Sequence, residues 1–322
     1  MDIPPIVLAP LAGGPSTPEL AAAVCNAGGF GFLAGGMLTA EELARRIERT
    51  RALTDAPFGV NLFALSEAPV DEGELARYLR ELEREARARG VRLGEARFDD
   101  DGFAAKLDVV ANAGIEVLSL TFGFPAAAVG RVPHTWATVT SVDEARMAEG
   151  RGASALVVQG TEAGGHRGSW DDSDDETPLL ALLGDVRANV RLPLIAAGGI
   201  ATREDVRTVL DAGATAAQLG TAFLLAPEAG TSEPHRRALA VGGETALTRA
   251  FTGRNARGIV NDFMRAHPVA PSAYPHINLA TAPLRAAALA ANDEHGINLW
   301  AGVRFAQAEV LPAGEIVAGL RP

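Results

Sequence analysis

The sequence predicts an α/β fold, a closed (β/α)8 TIM barrel with a smaller helical cap, and three observations support this prediction. Eight short apolar segments alternate with amphipathic helical segments through residues 1–225. The segments are apolar at nearly every position, as expected of parallel strands covered by helices. Glycines and polar residues follow several of them, which is typical of the functional ends of barrel strands. An open doubly wound sheet is the alternative, but the first turn, residues 9–15, lacks its glycine fingerprint.

The predicted strands are the apolar segments at residues 6–9, 30–33, 58–63, 116–120, 136–139, 155–158, 194–197 and 216–219. The predicted helices between them cover residues 17–27, 71–89, 102–113, 142–150, 178–189 and 202–212, with one more beginning at Thr39. Thr39 and Glu42 have the spacing of a capping box. The helix at residues 71–89 is rich in charge and is expected to be exposed.

The strand and helix pattern stops near residue 225. Residues 226–291 contain helical stretches broken by Pro, Gly and Asn, with no clear strand. We expect this segment to form a helical cap, or substrate domain, over the barrel mouth. Residues 292–322 are expected to return to the barrel with a closing helix. The predicted organisation is therefore a barrel at 1–225, a cap at 226–291 and a C-terminal segment at 292–322.

Composition argues against several classes of function. The net charge of -11 disfavours nucleic acid and anionic membranes as partners. Cys25 is the only cysteine, so no intrachain disulfide or cysteine metal site can form. The acidic run at residues 171–176 is interpreted as a solvated loop near a helix N-terminus, and no metal is predicted. The absence of a long apolar stretch and of a signal peptide pattern predicts a cytoplasmic protein.

The most informative segment is QGTEAGGHRG at residues 159–168, directly after the sixth predicted strand. Its glycines permit positive φ and close approach of the backbone to a ligand. His166 is the residue type best suited to proton transfer near neutral pH. Together they indicate a cofactor site with a base beside it. Taken alone, the segment also fits an ordinary turn with a surface histidine.

Two further strand ends favour the cofactor interpretation. Gly198 and Gly199 follow the seventh predicted strand, and QLGT at residues 218–221 ends the eighth. Loops at these two places in barrels often bind phosphate through backbone N–H groups. Asn61, near the end of the third strand, can pair with the polar edge of a flat heterocycle, and Pro10 is expected in an apolar wall. The set suits a phosphorylated planar cofactor such as flavin mononucleotide (FMN).

These segments resemble the nitronate monooxygenase family, formerly called 2-nitropropane dioxygenases. The motifs that carry the resemblance are GVNLF at 59–63, QGTEAGGHRG at 159–168, AAGGI at 196–200, QLGTAF at 218–223, FTGRNARG at 251–258 and LWAG at 299–302. They span nearly the whole chain in the family's order. The resemblance implies an FMN-dependent barrel with a helical substrate domain. It implies that His166 is the catalytic histidine and that the flavin is held by Asn61, Gln159, Gly164, Gly199, Gln218, Gly220 and Thr221.

With the other strand-end residues, the predicted cofactor-binding set is Pro10, Asn61, Gln159, Gly164, Gly198, Gly199, Gln218, Leu219, Gly220 and Thr221. One departure concerns the substrate. Family members that use propionate 3-nitronate often supply tyrosines and a lysine from the C-terminal part of the chain. Here the tyrosines are Tyr78 and Tyr274, and Lys106 lies far upstream. We therefore expect Phe122 and Phe124 to form an apolar substrate wall instead.

The predicted activity is oxidation of an alkyl nitronate by dioxygen to a carbonyl compound and nitrite. His166 would act as the base that deprotonates a neutral nitroalkane, or would position a nitronate that is already anionic. One alternative is an NAD(P)H-dependent flavin reductase for quinones or enoyl thioesters on the same barrel. The other is a flavin-binding protein without catalysis. The predicted partners are a small-molecule substrate and dioxygen, with no nucleic acid and no membrane.

Overall fold

The computed structural model describes residues 2–322, and within them the chain forms eleven strands. They are β1 (Ile6–Leu8), β2 (Phe32–Ala34), β3 (Gly59–Phe63), β4 (Val117–Thr121), β5 (His134–Val139), β6 (Ala155–Gln159), β7 (Gly165–His166), β8 (Leu194–Ala197), β9 (Ala216–Leu219), β10 (Thr245–Thr248) and β11 (Ala256–Ile259). Eight of them form one parallel sheet in the order β1-β9-β8-β6-β5-β4-β3-β2. These eight correspond to the eight predicted strands.

The sheet closes into a barrel through the chain just before β2. Val7 pairs in parallel with Phe30. The N–H of Leu8 donates to the Phe30 carbonyl at 2.9 Å, and the N–H of Phe30 donates to the Ile6 carbonyl at 3.0 Å. This pairing joins the two ends of the sheet, so the predicted (β/α)8 barrel is confirmed.

The α-helices of the described residues are α1 (Pro18–Asn26), α2 (Ala40–Arg51), α3 (Glu72–Ala88), α4 (Phe103–Asn112), α5 (Val142–Gly150), α6 (Leu179–Asn189), α7 (Arg203–Asp211), α8 (Glu233–Val241), α9 (Asp262–Ala266), α10 (His276–Ala290) and α11 (Ala313–Leu320). Thr39 caps α2, because its hydroxyl accepts from the Glu42 N–H at 3.1 Å. The reciprocal bond of a capping box forms instead at α7, between Thr202 and Asp205.

Alternate residues of the barrel strands face two separate cores, as the two-residue period of a strand requires. The inward-facing residues form a cluster comprising Val7, Phe30, Phe32, Val117, Trp136, Ala155, Val157, Ile195, Ala197 and Ala216. Centroids of the Phe30, Phe32 and Trp136 rings lie 5.3–5.8 Å apart. Their neighbours along the strands, such as Leu8 and Leu156, belong to a larger core shared with the helices. The barrel interior is therefore filled by side chains rather than open.

The predicted cap contains strands, which corrects the expectation that residues 226–291 have none. β10 and β11 pair antiparallel, and β11 also pairs with β7, so that Ala256 lies opposite His166. The two cap strands are short and carry Thr, Gly and Arg, so they lack the apolar alternation by which strands are recognised. The consequence is that the histidine segment of the barrel and the cap share one small sheet.

The helix α3 is not simply exposed, which corrects a second expectation. Its Tyr78 and Leu82 are fully buried and pack with Phe251 and Ile277 of the cap. The Tyr78 hydroxyl donates to the Ala250 carbonyl at 2.7 Å. The helix lies within the predicted barrel range, 1–225, yet one face of it belongs to the core of the cap. The domain limits at residues 225 and 291 stay a prediction.

The C-terminal helix α11 packs against the barrel, as expected of a closing helix. Its Ala313, Ile316, Val317 and Leu320 belong to the core formed by the outer faces of the barrel strands and the helices. No helix within residues 2–322 is both long and apolar enough to span a membrane.

Candidate active site

A cavity of about 520 Å³ lies between the carboxyl ends of the barrel strands and the cap. Its volume is within the range of roughly 300–1,000 Å³ that small-molecule sites occupy. The predicted site residues that line it are Pro10, Asn61, Phe122, Gln159, Gly164, His166, Gly198, Gly199, Gln218, Leu219, Gly220 and Thr221. Val157 and Ala197 belong both to the cavity lining and to the inward core. The packed barrel interior therefore forms the floor of the cavity.

Phe124 is the predicted site residue that does not line this cavity. It is only 1% exposed and packs in the core between the barrel and its helices. The chain turns sharply after β4. The Phe124 side chain, two residues beyond Phe122, therefore points to the outside of the barrel. The expectation that Phe124 contributes to a substrate wall is therefore wrong.

Phe122 does form a wall of the cavity, and its backbone is strained. Its φ of 76° lies in the left-handed region, where a non-glycine residue costs about 1–3 kcal/mol. The ring centroid lies 4.8 Å from that of Phe63, 5.7 Å from Tyr274 and 5.9 Å from His166. The Arg254 guanidinium carbon lies 4.2 Å from the ring centroid. Three aromatic neighbours and one cation thus hold an unusual conformation that directs the ring into the site.

His166 is held by a hydrogen bond from the cap. Its Nε2 lies 3.0 Å from the Thr252 hydroxyl, which in turn donates to the Arg254 carbonyl at 3.3 Å. Because the Thr252 hydroxyl donates its proton to the Arg254 carbonyl, it must accept a hydrogen bond from His166 Nε2–H. The Nδ1 of His166 therefore carries the lone pair. This tautomer is assigned from the hydrogen-bond network. Nδ1 has no hydrogen-bond partner among residues 2–322, so it is the ring nitrogen available to a ligand.

The surroundings of His166 keep its imidazole neutral. Burial, followed by the positive charges of Arg254 and Arg285, lowers the pKa of His166 to about 3. From its residue type alone, His166 is expected to transfer protons near neutral pH, and its lowered pKa corrects this expectation. A neutral imidazole can accept a proton, but an anion beside it must raise its pKa before the protonated form is stable.

Two carboxamides near the cavity floor have unused polar atoms. The Gln218 Oε1 is buried without a hydrogen-bond partner. The Asn61 amide nitrogen donates to the Ser119 carbonyl and hydroxyl, both at 3.2 Å, and to the Thr121 hydroxyl at 3.0 Å. Its Oδ1 has no such partner in the described part of the chain. A buried polar atom without a partner, such as the Gln218 Oε1, is costly. The two side-chain oxygens are therefore suited to donors on a bound ring.

Gln159 has a different role from the other two carboxamides. Its Nε2 donates to the His166 carbonyl at 3.1 Å, and its Oε1 accepts from the Gly168 N–H at 2.7 Å. Both ends of the side chain therefore stabilise the loop that carries His166. Gln159 also lines the cavity, and its contact with a cofactor stays a prediction.

The opposite part of the cavity is lined by backbone together with the side chain of Arg304, which pairs with Asp205 at 3.3 Å. Gly198 and Gly199 have φ values of 117° and 68°, which favour glycine. The N–H groups of Gly199, Ile200 and Gly220 donate to no acceptor within residues 2–322. Free backbone amides around a turn are a common phosphate-binding arrangement.

Two of the predicted glycines have close neighbours, backbone at Gly164 and a flexible side chain at Gly220. A Cβ at Gly164 would lie 2.5 Å from the backbone nitrogen of Gly302, and one at Gly220 would lie 2.9 Å from the Leu11 side chain. Leu11 lines the cavity, so a side chain at position 220 would displace part of this wall. Gly164 instead allows residues 299–303, which we call the crossing segment, to pass close by.

The crossing segment covers the two loops on which the predicted cofactor residues lie. The Gly302 N–H donates to the Thr221 hydroxyl at 3.0 Å, and the Val303 N–H donates to the Glu162 carbonyl at 3.1 Å. Trp300 lies in the same segment and lines the cavity, with its ring centroid 5.6 Å from that of His166.

Several site residues were not assigned a role from the sequence. Thr252, Arg254 and Trp300 lie in motifs that carried the family resemblance, so a signal was present. Arg285 and His235 line the cavity from α10 and α8, where no motif marks them. The sequence did not predict that Tyr274 lies in the site. Its ring centroid lies 5.6 Å from that of His166.

The acidic run at residues 171–176 is partly structural rather than a solvated loop. Asp172 pairs with the Arg249 Nε at 2.8 Å and accepts from the Ser272 hydroxyl at 2.6 Å and from the Asn255 N–H at 2.9 Å. Asp174 accepts from the Asn255 amide at 2.7 Å. These contacts join the loop to the cap beside the active site.

Comparisons with known proteins identify relatives of this chain. A family model described as "Nitronate monooxygenase" matches residues 1–322. A nitronate monooxygenase of Paraburkholderia phytofirmans is 39% identical and covers 98% of this chain and 91% of the relative. One of Pseudomonas aeruginosa is 38% identical, with coverage of 98% and 95%. Both relatives align over nearly their whole length.

Solved structures extend the comparison. A nitroalkane oxidase from Streptomyces ansochromogenes has a TM-score of 0.95 at 46% identity and covers 98% of this chain and 94% of that chain. FabK from Thermotoga maritima has a TM-score of 0.78 at 24% identity, with coverage of 99% and 92%. At that lower identity the likeness concerns the fold alone.

Proposed function

Because this chain belongs to the nitronate monooxygenase family, whose members are flavoproteins and oxidoreductases, we propose that it oxidises alkyl nitronates with dioxygen. The proposed products are a carbonyl compound and nitrite, and the proposed cofactor is FMN. The single observation that carries the proposal is the arrangement of the cavity. Unused carboxamide atoms, free backbone amides and a histidine nitrogen line one space of about 520 Å³.

The residues present fit FMN. The unpartnered Oε1 of Gln218 and the free Oδ1 of Asn61 suit the polar edge of the flavin ring. The free N–H groups of Gly199, Ile200 and Gly220 suit its phosphate. This assignment needs no lysine, since backbone amides can bind phosphate without one.

When bound, the flavin would take electrons from the substrate carbon and pass them to dioxygen. The chain contributes the surroundings of that chemistry. Phe122, Tyr274 and Trp300 surround the His166 ring at centroid distances of 5.6–5.9 Å, and these apolar walls exclude water. His166 presents Nδ1 to the substrate, while Nε2 is held by Thr252.

For a neutral nitroalkane, His166 Nδ1 would take the α-proton. This transfer is helped by the negative charge of the nitronate that results, because an adjacent anion raises the pKa of the imidazole. For a substrate that is already a nitronate, no proton has to be removed. His166 then serves to position the anion.

The test begins with the mass and stoichiometry of the flavin released on denaturation, which we expect to be FMN at one per chain. The protein is then mixed anaerobically with a preformed nitronate or with NADH. We expect the nitronate to bleach the flavin absorbance, and nitrite to appear once oxygen is admitted. Bleaching by NADH alone would favour the flavin reductase. Bleaching by neither would favour a non-catalytic flavin-binding protein.

A further inference from the structure

Arg285 is a cation inside the active site without an anionic partner. It lies on α10 and lines the cavity together with Asn298 and Trp300. Among residues 2–322, no carboxylate lies within 4.0 Å of its guanidinium. Its surroundings lower its pKa to about 10, chiefly through burial, so it remains charged at neutral pH. Buried charges in proteins are usually paired.

The hydrogen bonds of Arg285 orient the guanidinium but do not neutralise it. Its Nη2 donates to the carbonyl and the Oδ1 of Asn278, both at 2.8 Å, and its Nε donates to the Thr281 hydroxyl at 3.3 Å. The Nη1 has only a long contact of 3.5 Å with the Asn298 Oδ1. One nitrogen with two N–H groups is therefore nearly free beside the cavity.

A second unpaired guanidinium strengthens the positive potential. Arg254 lies behind the Phe122 ring, donates to the Ser169 carbonyl and has a buried Nε without a partner. No carboxylate lies within salt-bridge distance of it in the described residues. The charges of Arg254 and Arg285 are both close enough to lower the pKa of His166. The site is thus positive although the chain carries a net charge of -11.

We propose that Arg285 is the residue that binds the anionic oxygens of the substrate, through Nη1 and with Arg254 adding positive potential, and that this residue sets the preference of the site for an anion. This inference rests on the proposed function, since it names the form of substrate that the same site takes. A delocalised pair of oxygens fits a guanidinium edge. A neutral nitro group offers weaker acceptors and leaves the cation unpaired.

The anion selectivity agrees with the state of His166. An imidazole held neutral by two cations is a weak base toward a neutral nitroalkane. The same two cations favour a ligand that arrives with its negative charge. The charges of Arg254 and Arg285 therefore disfavour proton abstraction by His166. The same charges favour binding of the nitronate anion, which is the product of that abstraction.

The test uses two isosteric probes that carry no nitro group, propanoate as the anion and propanamide as its neutral counterpart. Binding of each to the purified flavin-loaded protein is measured by calorimetry. The variants are Arg285→Gln, which removes the charge, and Arg285→Lys, which keeps it without the planar edge. Arg265→Gln is the matched control, because Arg265 is exposed on α9 and pairs with Asp262 at 3.1 Å.

We expect Arg285→Gln to raise the Kd of propanoate about 10- to 100-fold, as for loss of a hydrogen bond to a charged group. Propanamide binding should be unchanged, and Arg285→Lys should lie between the wild type and Arg285→Gln. Arg265→Gln should bind both probes like the wild type. A purely structural role for Arg285 would weaken both probes equally.

The proposal is overturned if Arg285→Gln binds propanoate like the wild type, if the wild type does not bind propanoate, or if both probes weaken together. Should Arg285→Gln fail to fold, Arg285→Met decides by the same criterion, because it also removes the charge and keeps an unbranched side chain. Nitronate turnover by the wild type is measured in parallel. Anion binding through Arg285 without any turnover would reject the proposed function and keep the anion site.

Discussion

The Nε2 of His166 lies 3.0 Å from the hydroxyl of Thr252, and this contact joins the histidine segment of the barrel to the cap. Thr252 also donates to the Arg254 carbonyl, so a single hydroxyl determines which imidazole nitrogen carries the proton. The orientation of the proposed base is therefore set by the cap and not by the loop in which it lies.

Replacing Thr252 with valine tests this relationship. Thr252→Val keeps the side-chain volume but removes the hydroxyl, so the imidazole loses its fixed tautomer. We expect kcat/KM for nitronate to fall about 3- to 10-fold, in line with one hydrogen bond of roughly 1 kcal/mol. Flavin content should be unchanged. Thr208→Val on the exposed face of α7 is the control, and equal kinetics in the two variants would contradict the proposed role.

His166→Asn is expected to keep its flavin and to distinguish two forms of substrate. A neutral nitroalkane must lose its α-proton, and general-base catalysis typically contributes about 100- to 10,000-fold. Because the lowered pKa makes His166 a weak base, activity on neutral nitroalkanes should fall by about 100-fold, the low end of that range. Activity on preformed nitronates should fall less. Steady-state kinetics on both forms decide. Turnover of neutral nitroalkane at the wild-type rate would show that His166 is not the base.

The lowered pKa of His166 predicts a pH dependence of stability. The unfolded state takes up a proton near pH 6.5, whereas the folded state does so only near pH 3. The unfolded state therefore binds more protons between these values, and the free energy of unfolding falls as the pH is lowered through this window. The slope is about 1.4 kcal/mol per pH unit for one such group. Urea unfolding of the flavin-free protein from pH 7 to pH 4 should show a smaller decline in His166→Asn than in the wild type.

Gln218→Leu should change stability and cofactor affinity in opposite directions. The flavin-free protein should be stabilised, because a buried Oε1 without a partner is removed. Flavin should bind about 10- to 100-fold more weakly, because such a group is worth roughly 1–3 kcal/mol when it is paired. Melting of the flavin-free protein and a flavin titration measure the two effects. A loss of stability together with unchanged affinity would contradict the assignment.

Gly220→Val is expected to reduce flavin affinity more than it disturbs the fold. A Cβ at this position would lie 2.9 Å from the Leu11 side chain, which lines the cavity. The variant should therefore narrow the site while the barrel still forms. Gly184→Val provides a matched control, since no atom lies within 4 Å of a Cβ at that position. Retained affinity in Gly220→Val would show that Leu11 can move away.

The barrel could be predicted from the sequence because its strands are continuous apolar runs with recognisable helix caps between them. Thr39 caps its helix as expected. The strands β8 and β9 begin and end at the predicted residues. The small sheet was missed because β7 has only two residues and β11 contains Arg257 and Gly258. Strands this short are determined by their partners, which lie far away in the chain.

The predicted residues that line the cavity are mainly glycines and carboxamides at strand ends. The prediction did not include the charged side chains of the cap, Arg254 and Arg285. Arg285 lies in an amphipathic helix, where an arginine ordinarily faces water, and its burial depends on how α10 packs over the barrel. The position of Phe124 also depends on the tertiary structure, because the turn at Phe122 sends the following residues to the other side of the sheet.

The crossing segment has a consequence for how the protein is assembled. Gly302, whose N–H donates to Thr221, is synthesised 81 residues after its acceptor. A growing chain can complete all eight barrel strands while one side of the cofactor site is still missing. Retention of the flavin therefore depends on residues translated long after the barrel. A ribosome-bound nascent chain that stops before residue 299 would have the barrel strands without the segment that covers the loops of the proposed phosphate site.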